Sequence, residues 1–289
     1  MKLGMLRSIL DEHNLRLSRD LGQNFLVDTD LADDLARRAG ASAGDFVIEV
    51  GTGLGVLTQA LAARAARVRS VEIDAGLVRV LESEKLLAEN VELIHADALK
   101  VDWRGWIKEA AEPVRVIANL PYSVATPLLR KLLDFRNDLE DWSVMLQSEV
   151  AERLTADPGT RAYGSFTVLH RLVADVDTIA KVGPDRFFPR PKVESSFVRV
   201  WPRAKQIVGE DELVRVERVV RAAFSQRRKR VTNGLARIAE KRWPDLEKPD
   251  RRERLEAVLN SAGIDPGLRP ERIEPEAWLN LSREIDRDA

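Results

Sequence analysis

The chain has 289 residues, of which 44% are hydrophobic and 32% charged, and its formal net charge is −1. This composition supports a folded core and excludes an intrinsically disordered chain. The absence of cysteine excludes disulfides, a thiolate zinc site and a cysteine nucleophile. No apolar run is long enough to span a bilayer, and the first residues lack the apolar stretch of a secretory signal. We therefore expect a cytoplasmic protein with no membrane partner.

Apolar runs alternate with helical patterns through the first two thirds of the chain. After a polar lead-in over residues 1–44, five runs predict β-strands at Phe46–Val50, Val68–Ile73, Val91–His95, Val114–Ala118 and Ser143–Gln147. Apolar residues at helical spacing predict helices that begin near Leu31, Leu54, Leu77 and Val124. Strands that alternate with helices in this way indicate a mostly parallel sheet covered on both faces.

The last third of the chain changes character. Two more strands are predicted at Phe166–Val176 and Ser196–Trp201, and the short distance between them suggests that the sheet ends in an antiparallel pair. From about Gly209 onward strand patterns disappear, and helical patterns are interrupted by prolines. We predict an α/β domain at residues 1–205, including an amino-terminal arm and lead-in helix at 1–44, and a small all-α domain at residues 206–289.

A glycine-rich turn, Gly51-Thr52-Gly53-Leu54-Gly55, follows the first predicted strand and its Glu49. Glycines in this place permit a tight turn and a close approach of the backbone to a ligand. Val56 stands where the dinucleotide-binding pattern Gly-x-Gly-x-x-Gly has its third glycine. The turn therefore disfavours a nicotinamide or flavin dinucleotide, as in a dehydrogenase, and favours a nucleotide that carries no phosphate.

Two carboxylates follow the next two strands. Glu72 ends the second strand about twenty residues after the glycines, where it can accept hydrogen bonds from both ribose hydroxyls. Asp97 comes directly after the third strand and can accept one from an adenine amino group. Because the carboxyl ends of parallel strands meet at one crevice, these groups and the glycine turn together indicate an S-adenosylmethionine site.

The fourth predicted strand runs into Asn119-Leu120-Pro121-Tyr122. An amide and backbone carbonyls can accept hydrogen bonds, the proline fixes the turn, and the ring offers a stacking face. Such a group suits a planar base with an exocyclic amine, although the same four residues are also a common turn.

A basic segment lies towards the carboxyl end. Residues 181–242 contain 17 Lys or Arg against 7 Asp or Glu, while the remainder of the chain is acidic. Within it, four cations stand in a row at Arg227, Arg228, Lys229 and Arg230. Concentrated positive charge on an otherwise acidic protein suits phosphate on one face, and solvated helix faces are the alternative explanation.

Several segments together resemble those of the ribosomal RNA adenine dimethyltransferases. They are Gly22-Gln23-Asn24-Phe25-Leu26, the glycine turn, Asp97-Ala98, Asn119-Leu120-Pro121-Tyr122, Pro158-Gly159-Thr160-Arg161-Ala162-Tyr163-Gly164 and Phe187-Phe188-Pro189-Arg190-Pro191-Lys192-Val193-Glu194-Ser195. The chain is most similar to the bacterial small-subunit (16S) branch, which dimethylates two neighbouring adenines near the 3′ end of the RNA. This resemblance implies a Rossmann-like class I methyltransferase fold with a seven-stranded, mostly parallel sheet and a small carboxyl-terminal helical domain.

The resemblance also implies roles for individual residues. The cofactor-binding residues would be Asn24, Leu26, Gly51, Glu72, Asp97 and Asn119. The target base would lie between Tyr122 and Phe187, with Phe188 as the neighbouring alternative. Arg186, Arg190 and Lys192 would contact phosphates beside that base. The lead-in is more basic in the family, and this chain has Asp20 there. The role of the amino-terminal arm in RNA contact therefore stays open.

A mechanism without a metal or a covalent intermediate follows from these residues. Adenine N6 is a poor nucleophile because its lone pair is delocalised into the ring. If the Asn119 side-chain oxygen and the Leu120 carbonyl accept its two hydrogens, the nitrogen can become pyramidal and direct its lone pair at the methyl group. Pro121 would fix this turn, and no general base is assigned.

Three functions remain open from the sequence. The first is a 16S rRNA dimethyltransferase that acts as a monomer on the immature 30S subunit and takes part in its biogenesis. The second is a 23S rRNA adenine methyltransferase of the macrolide-resistance type. The third is a ribosome-assembly or transcription factor with reduced catalysis.

Overall fold

The computed structural model describes residues 4, 8–9, 12–13, 15, 22–205 and 207–288. Asp20 and most of the amino-terminal arm lie outside the described residues. From residue 22 onward the described chain forms nine strands: β1 Phe25–Leu26, β2 Phe46–Val50, β3 Arg67–Glu72, β4 Val91–His95, β5 Val114–Asn119, β6 Asp141–Gln147, β7 Ala174–Val182, β8 Phe187–Phe188 and β9 Ser195–Pro202.

Eleven α-helices lie in the same part of the chain. They are α1 Thr29–Arg38, α2 Val56–Ala62, α3 Ala75–Ser83, α4 Trp103–Lys108, α5 Ala125–Leu132, α6 Ser148–Thr155, α7 Ser165–Val173, α8 Glu210–Phe224, α9 Val231–Arg242, α10 Lys248–Ser261 and α11 Pro275–Arg287. Short 3₁₀ helices occur at Leu133–Phe135, Pro184–Arg186 and Pro270–Arg272. No helix within these described ranges is both long and apolar enough to cross a membrane.

Seven strands form one sheet in the order β4-β3-β2-β5-β6-β9-β7. The pairs β2–β3, β2–β5, β3–β4 and β5–β6 are parallel, whereas β9 runs antiparallel to β6. β2 is buried along its whole length, as expected for a central parallel strand with helices on both faces. The predicted seven-stranded, mostly parallel α/β fold is confirmed.

The chain reverses its sheet order next to β2, because β3 and β5 flank it on opposite sides. In open α/β sheets a crevice forms at such a position, outside the carboxyl ends of the strands. The predicted glycine turn follows β2, Glu72 ends β3 and Asn119 ends β5. The fold thus brings three predicted ligand groups to one edge of the sheet.

One predicted strand is wrong over most of its length. Residues 165–173, within the predicted strand Phe166–Val176, form helix α7, and β7 begins only at Ala174. The run Phe166-Thr167-Val168-Leu169 is rich in strand-favouring residues, but Thr167 Oγ accepts a hydrogen bond from Gly164 N and so caps the helix start. A short apolar run buried on several sides gives no period that separates helix from strand.

The contacts divide the chain into two compact units that are interleaved in sequence. One comprises described residues of 1–151 and 176–202, and the other comprises 152–175 and 203–288. In the second unit the half-buried ring of Phe224 packs between two buried rings, with its centroid 6.0 Å from that of Trp278 and 6.1 Å from that of Tyr163. The domain boundary after residue 205 remains a prediction.

Candidate active site

A pocket opens at the carboxyl ends of β2, β3 and β5. Its walls come from the glycine turn, the end of β3, the segment after β5 and the residues before α1; they include Gln23, Asn24, Phe25, Leu26, Gly51, Thr52, Gly53, Leu54, Glu72, Ile73, Asn119, Leu120, Pro121, Ser123 and Val124. Five of the six predicted cofactor-binding residues therefore line one pocket. Asp97 is not among its lining residues.

Gly51 permits a close approach of two turns at this pocket. Its φ of +83° is in the left-handed region, and a Cβ there would lie 3.2 Å from Pro121 Cδ and 3.5 Å from the Asn119 carbonyl oxygen. A side chain at this position would strain the backbone and press on the Asn119-Leu120-Pro121 turn. The glycine therefore lets the turns after β2 and β5 pack against each other.

Glu72 is fixed by backbone hydrogen bonds. Its Oε1 accepts from Ile73 N and Asp74 N, and its Oε2 accepts from Gly53 N, all at 2.9 Å. Burial raises the pKa of Glu72, while these N–H donors act in the opposite direction. A carboxylate has about four acceptor positions, so one remains for a ligand hydroxyl.

Asn119 is oriented by the residues before α1. Its Nδ2 donates to the Asn24 carbonyl oxygen over 3.0 Å, and no described residue donates to its Oδ1. The side chain of Asn24 in turn donates to the Gly22 carbonyl oxygen over 3.2 Å. The amide of Asn119 is therefore held with its donor end occupied and its acceptor end available.

Residues 22–28 are named here the strap, and residues 23–26 of it form one wall of the pocket. Gln23 Nε2 donates to Asp74 Oδ2 over 2.9 Å, at the residue that caps helix α3. Phe25 and Leu26 form β1, which pairs antiparallel with β8 so that Phe25 opposes Phe188 and Leu26 opposes Phe187. The sequence did not indicate these anchors, because their partners lie far along the chain.

Tyr122 is half-buried beside the start of β9. Its hydroxyl lies 3.2 Å from Ser195 Oγ, and burial raises the pKa of the phenol. Leu120 is 2% exposed and packs inside, which leaves its backbone as its chemically relevant part. The ring of Tyr122 is thus fixed at its hydroxyl end, as a stacking surface requires.

Phe187 and Phe188 differ in their surroundings. Phe187 is 4% exposed and belongs to the core cluster that includes Leu26, whereas Phe188 is half-buried. The stacking role of Phe187 stays a prediction, and Phe188 packs against the buried cluster that includes Phe25, Leu54 and Leu77.

Asp97 caps the turn after β4. Its Oδ1 accepts from Leu99 N over 2.9 Å and its Oδ2 lies 3.3 Å from Lys100 Nζ. The hydrogen bond from Leu99 N and the adjacent Lys100 lower the pKa of Asp97. Asp97 lies just after the carboxyl end of β4, as the sequence predicted. Its contact with an adenine amine stays a prediction.

Glu49 lies beneath the glycine turn and is fully buried. Its Oε2 accepts hydrogen bonds from Thr58 Oγ1 over 2.6 Å and Ser70 Oγ over 2.5 Å, and its Oε1 has no partner among the described residues. Ser70 Oγ is also 2.6 Å from the hydroxyl of Thr52 in the pocket wall. Burial raises the pKa of Glu49 to about 8.

The predicted phosphate contacts near Phe187 fall into two groups. Arg186 forms an ion pair with Asp28, the residue that caps helix α1. Arg190 and Lys192 are exposed and form no ion pair with a described residue. Of these three cations, Arg190 and Lys192 are therefore available to a ligand in this conformation.

In the second compact unit, too, one of the predicted RNA-binding cations is paired within the chain and others are exposed. Arg227 Nε donates to Glu271 Oε2 over 2.7 Å, and its guanidinium donates to the Thr160 carbonyl oxygen over 3.0 Å. Gly159 N donates to the Glu271 carbonyl oxygen over 2.6 Å. Arg227 thus joins the Pro158–Gly164 segment to the chain before α11.

These contacts bring three chain segments together at one corner of that unit. Val231 N donates to the Leu268 carbonyl oxygen over 2.8 Å, and a Cβ at Gly159 would lie 2.8 Å from the guanidinium of Arg272. The exposed cations of these segments, named here the basic corner, are Arg161, Arg228, Lys229, Arg230, Arg269 and Arg272, and none forms an ion pair with a described residue. The run of cations in the sequence indicated Arg228, Lys229 and Arg230, whereas the other three lie outside any such run.

The chemistry of the pocket fits S-adenosylmethionine. Glu72 offers an acceptor for a hydroxyl, and Gly51 lets the backbone approach a ligand closely. Ile73 is a 46% exposed apolar side chain on the pocket wall. No group of three or more potential metal ligands lies within the described ranges.

Comparisons with known proteins agree with this geometry. The family model described as ribosomal RNA adenine dimethylase matches residues 14–257. A ribosomal RNA small subunit methyltransferase A of Clostridium botulinum is 37% identical over 276 residues, with 96% of each chain covered. That of Clostridium acetobutylicum is 37% identical over 287 residues, covering 99% of this chain and 100% of the relative.

Two solved structures share the fold over most of the chain. A dimethyladenosine transferase from Plasmodium falciparum has a TM-score of 0.74 at 24% identity, covering 91% of this chain and 98% of the other. The 23S rRNA methyltransferase ErmE has a TM-score of 0.64 at 28% identity, covering 91% of this chain and 100% of the other.

Proposed function

The chain belongs to the ribosomal RNA adenine dimethylase family, and from this membership we propose that it dimethylates N6 of two adjacent adenines in the 3′-terminal hairpin of 16S rRNA. The methyl donor in this proposal is S-adenosylmethionine, and S-adenosylhomocysteine is the second product. The substrate is the immature 30S subunit in the cytoplasm, the enzyme acts as a monomer, and the modification takes part in subunit biogenesis. The curated relatives named for the small subunit support this proposal over 23S rRNA.

The observation that carries the proposal is the fixed orientation of Asn119 at the pocket wall. Its Nδ2 is used by Asn24, so Oδ1 is the end that accepts a hydrogen bond from adenine N6. The Leu120 carbonyl accepts the second hydrogen, and Pro121 holds the turn. With both hydrogens bound, the nitrogen lone pair is localised and directed into the pocket.

When bound, the cofactor supplies an electrophilic sulfonium methyl group. The residues of this chain place the amine in line with it and exclude water. The N6 lone pair forms the new bond to carbon, the pair of the breaking carbon–sulfur bond stays on sulfur, and one N6 proton leaves to solvent. A neutral amide suits both methylations, because its oxygen can still accept a hydrogen bond after a methyl group has replaced the first N6 hydrogen.

The target adenine must leave its stack to reach this pocket. Tyr122, fixed through Ser195, forms one wall, and Phe187 or Phe188 forms the other. Stacking on such rings contributes roughly 1–3 kcal/mol per base. Arg190, Lys192 and the basic corner are the proposed phosphate contacts, while Arg186 and Arg227 are engaged by carboxylates of the chain itself.

Labelled-methyl transfer tests the proposal directly. Purified enzyme is incubated with unmethylated small subunits or with large-subunit RNA, and the modified bases are mapped. We expect N6,N6-dimethyladenosine at two adjacent adenines of the small-subunit RNA. Label in the large-subunit RNA alone would identify the 23S activity, and tight subunit binding without label would identify an assembly factor.

A further inference from the structure

The strap forms part of the cofactor pocket and also pairs with β8. Asn24, Phe25 and Leu26 line the cofactor pocket, while the backbone of Phe25 and Leu26 pairs with Phe188 and Phe187. The strand that carries the proposed base-stacking wall is therefore bonded to the wall of the cofactor pocket.

This strand pairing is short. It comprises two residues on each side, and isolated pairings of that length are marginal in water. It is extended at one end by Val27 N, which donates to the Arg186 carbonyl oxygen over 3.1 Å. Beyond it lies the ion pair between the side chains of Arg186 and Asp28.

Asp28 combines two tasks. Its Oδ1 accepts from Leu31 N over 2.9 Å and so caps helix α1, while its Oδ2 binds Arg186. The Leu31 N–H and the Arg186 guanidinium hold the pKa of Asp28 below its usual range. The ion pair thus joins a helix start, the strap and the strand of Phe187 and Phe188 at one point.

We propose that Asp28 and Arg186 are positioning residues that hold the Phe187–Phe188 strand against the strap, so that the cofactor and the target base strengthen each other's binding. The inference rests on the proposed function, because the base-stacking role of the aromatic pair belongs to it. A cofactor that contacts Asn24 and Leu26 stabilises the strap conformation that pairs with β8, and this conformation places the aromatic pair. Thermodynamic linkage then requires that bound RNA tightens cofactor binding by the same factor.

Arg186 has another carboxylate nearby, which supplies a matched control. Its Nε lies 3.5 Å from Asp185 Oδ2, and Asp185 is exposed and not part of the strap. Asp185→Asn removes the same charge from the same arginine but leaves the strap contact intact. Asp28→Asn removes the strap contact, and asparagine remains a good helix cap.

The test measures the dissociation constant of unmethylated small subunits with and without saturating S-adenosylhomocysteine. For the natural chain we expect the product to tighten subunit binding about fivefold. Arg186→Glu places a third carboxylate beside Asp28 and Asp185 and should abolish this ratio. Adding Asp28→Asn to Arg186→Glu removes the repulsion between the two carboxylates and should restore part of the ratio. Asp185→Asn alone should leave the ratio unchanged.

The alternative is that Arg186 binds a phosphate. In that case Arg186→Glu weakens subunit binding equally with and without the product, lowers its salt dependence and is not rescued by Asp28→Asn. That pattern, or a ratio of one for the natural chain, overturns the inference. Absence of any methyl transfer by the natural chain would instead count against the proposed function, so the two failures are distinct.

Discussion

The cofactor pocket and the basic corner are built on different principles. In the pocket, Glu72 accepts three backbone hydrogen bonds and the Asn119 side chain donates one to Asn24, so both side chains point in fixed directions. In the basic corner, the backbone is held by Arg227 and Glu271 while the other cations extend into solvent unpaired. We infer that the pocket determines the rate of methyl transfer and the corner determines the affinity for RNA. Three variants test this division, and a fourth tests the buried carboxyl beneath the pocket.

The largest effect is expected in the pocket, at Asn119. Asn119→Ala removes the proposed acceptor of the N6 hydrogen, and loss of one preorganised group of this kind costs about 10²–10³ in turnover. Loss of the hydrogen bond to Asn24 should also weaken S-adenosylhomocysteine binding about fivefold. Single-turnover kinetics and calorimetry separate the two quantities.

The control for that substitution is Asn137→Ala, which removes an exposed amide far from the pocket in the sequence. It should leave both quantities unchanged. Normal turnover by Asn119→Ala would contradict the proposed acceptor role.

A second large effect concerns stability and pH, at Glu49. Its pKa of about 8 lies above its ordinary value of 4.5, so between these pH values the folded state binds a proton that the unfolded state has lost. The free energy of unfolding therefore falls as pH rises through this window, by up to about 1.4 kcal/mol per pH unit from this group. Glu49→Gln should remove this contribution and stabilise the protein increasingly towards pH 8.

Denaturant titrations at several pH values measure this difference between variant and natural chain. Glu89→Gln makes the same chemical change at an exposed position of the same unit and should give no such slope. A pH-independent difference for Glu49→Gln would mean that the carboxyl is already ionised in the folded state.

A smaller effect is expected when the basic corner loses charge. Replacing Arg228, Lys229 and Arg230 together by Ala should weaken subunit binding about tenfold and reduce the slope of log affinity against log salt by roughly two to three. Turnover at saturating subunit should change little. Filter binding over a range of salt concentrations provides the measurement.

A control variant removes equal charge elsewhere in the same unit. Arg218, Arg237 and Lys241 are exposed on α8 and α9 and form no ion pair with a described residue. Their replacement by Ala should reduce the slope much less. Equal losses for the two triple variants would point to diffuse charge in place of a defined surface.

The smallest effect separates Arg227 from its neighbours. Arg227→Gln breaks a partly exposed ion pair with Glu271, so the melting temperature should fall by about 1–3 °C. The slope of log affinity against log salt should stay as in the natural chain, because Arg227 binds Glu271 and the Thr160 carbonyl oxygen and does not contact phosphate. A reduced slope with unchanged melting temperature would return Arg227 to the phosphate contacts.

The sequence predicted the pocket better than it predicted the charges. Glu72 and Asn119 end strands and Gly51 directly follows one, the apolar run of each strand is visible in the sequence, and the topology brings the ends of parallel strands together. The partners of Arg186 and Arg227 lie 158 and 44 residues away in the chain, so their pairing was not visible. Charge runs show where cations are, whereas only the fold shows which are already neutralised.

The helix at Ser165–Val173 was missed for a related reason. Its residues favour strands locally, but they pack in the second compact unit, where α7 contacts α8 and α11. The strap was predicted as a ligand-contacting segment through the family resemblance. Its anchors at Asp74 and Phe188 depend on the tertiary structure and carry no local pattern.

The interleaving of the two compact units has a practical consequence for dissecting this enzyme. A fragment that ends at residue 205 would retain α7 and Tyr163 but lose Ile273, whose carbonyl accepts the Tyr163 hydroxyl hydrogen bond over 2.6 Å, and the helices that cover α7. The apolar residues of α7 would then be left uncovered, and we expect such a fragment to aggregate. A catalytic fragment would instead need residues 152–175 replaced by a short linker from the first turn of α6 to the part of β7 that begins at residue 176.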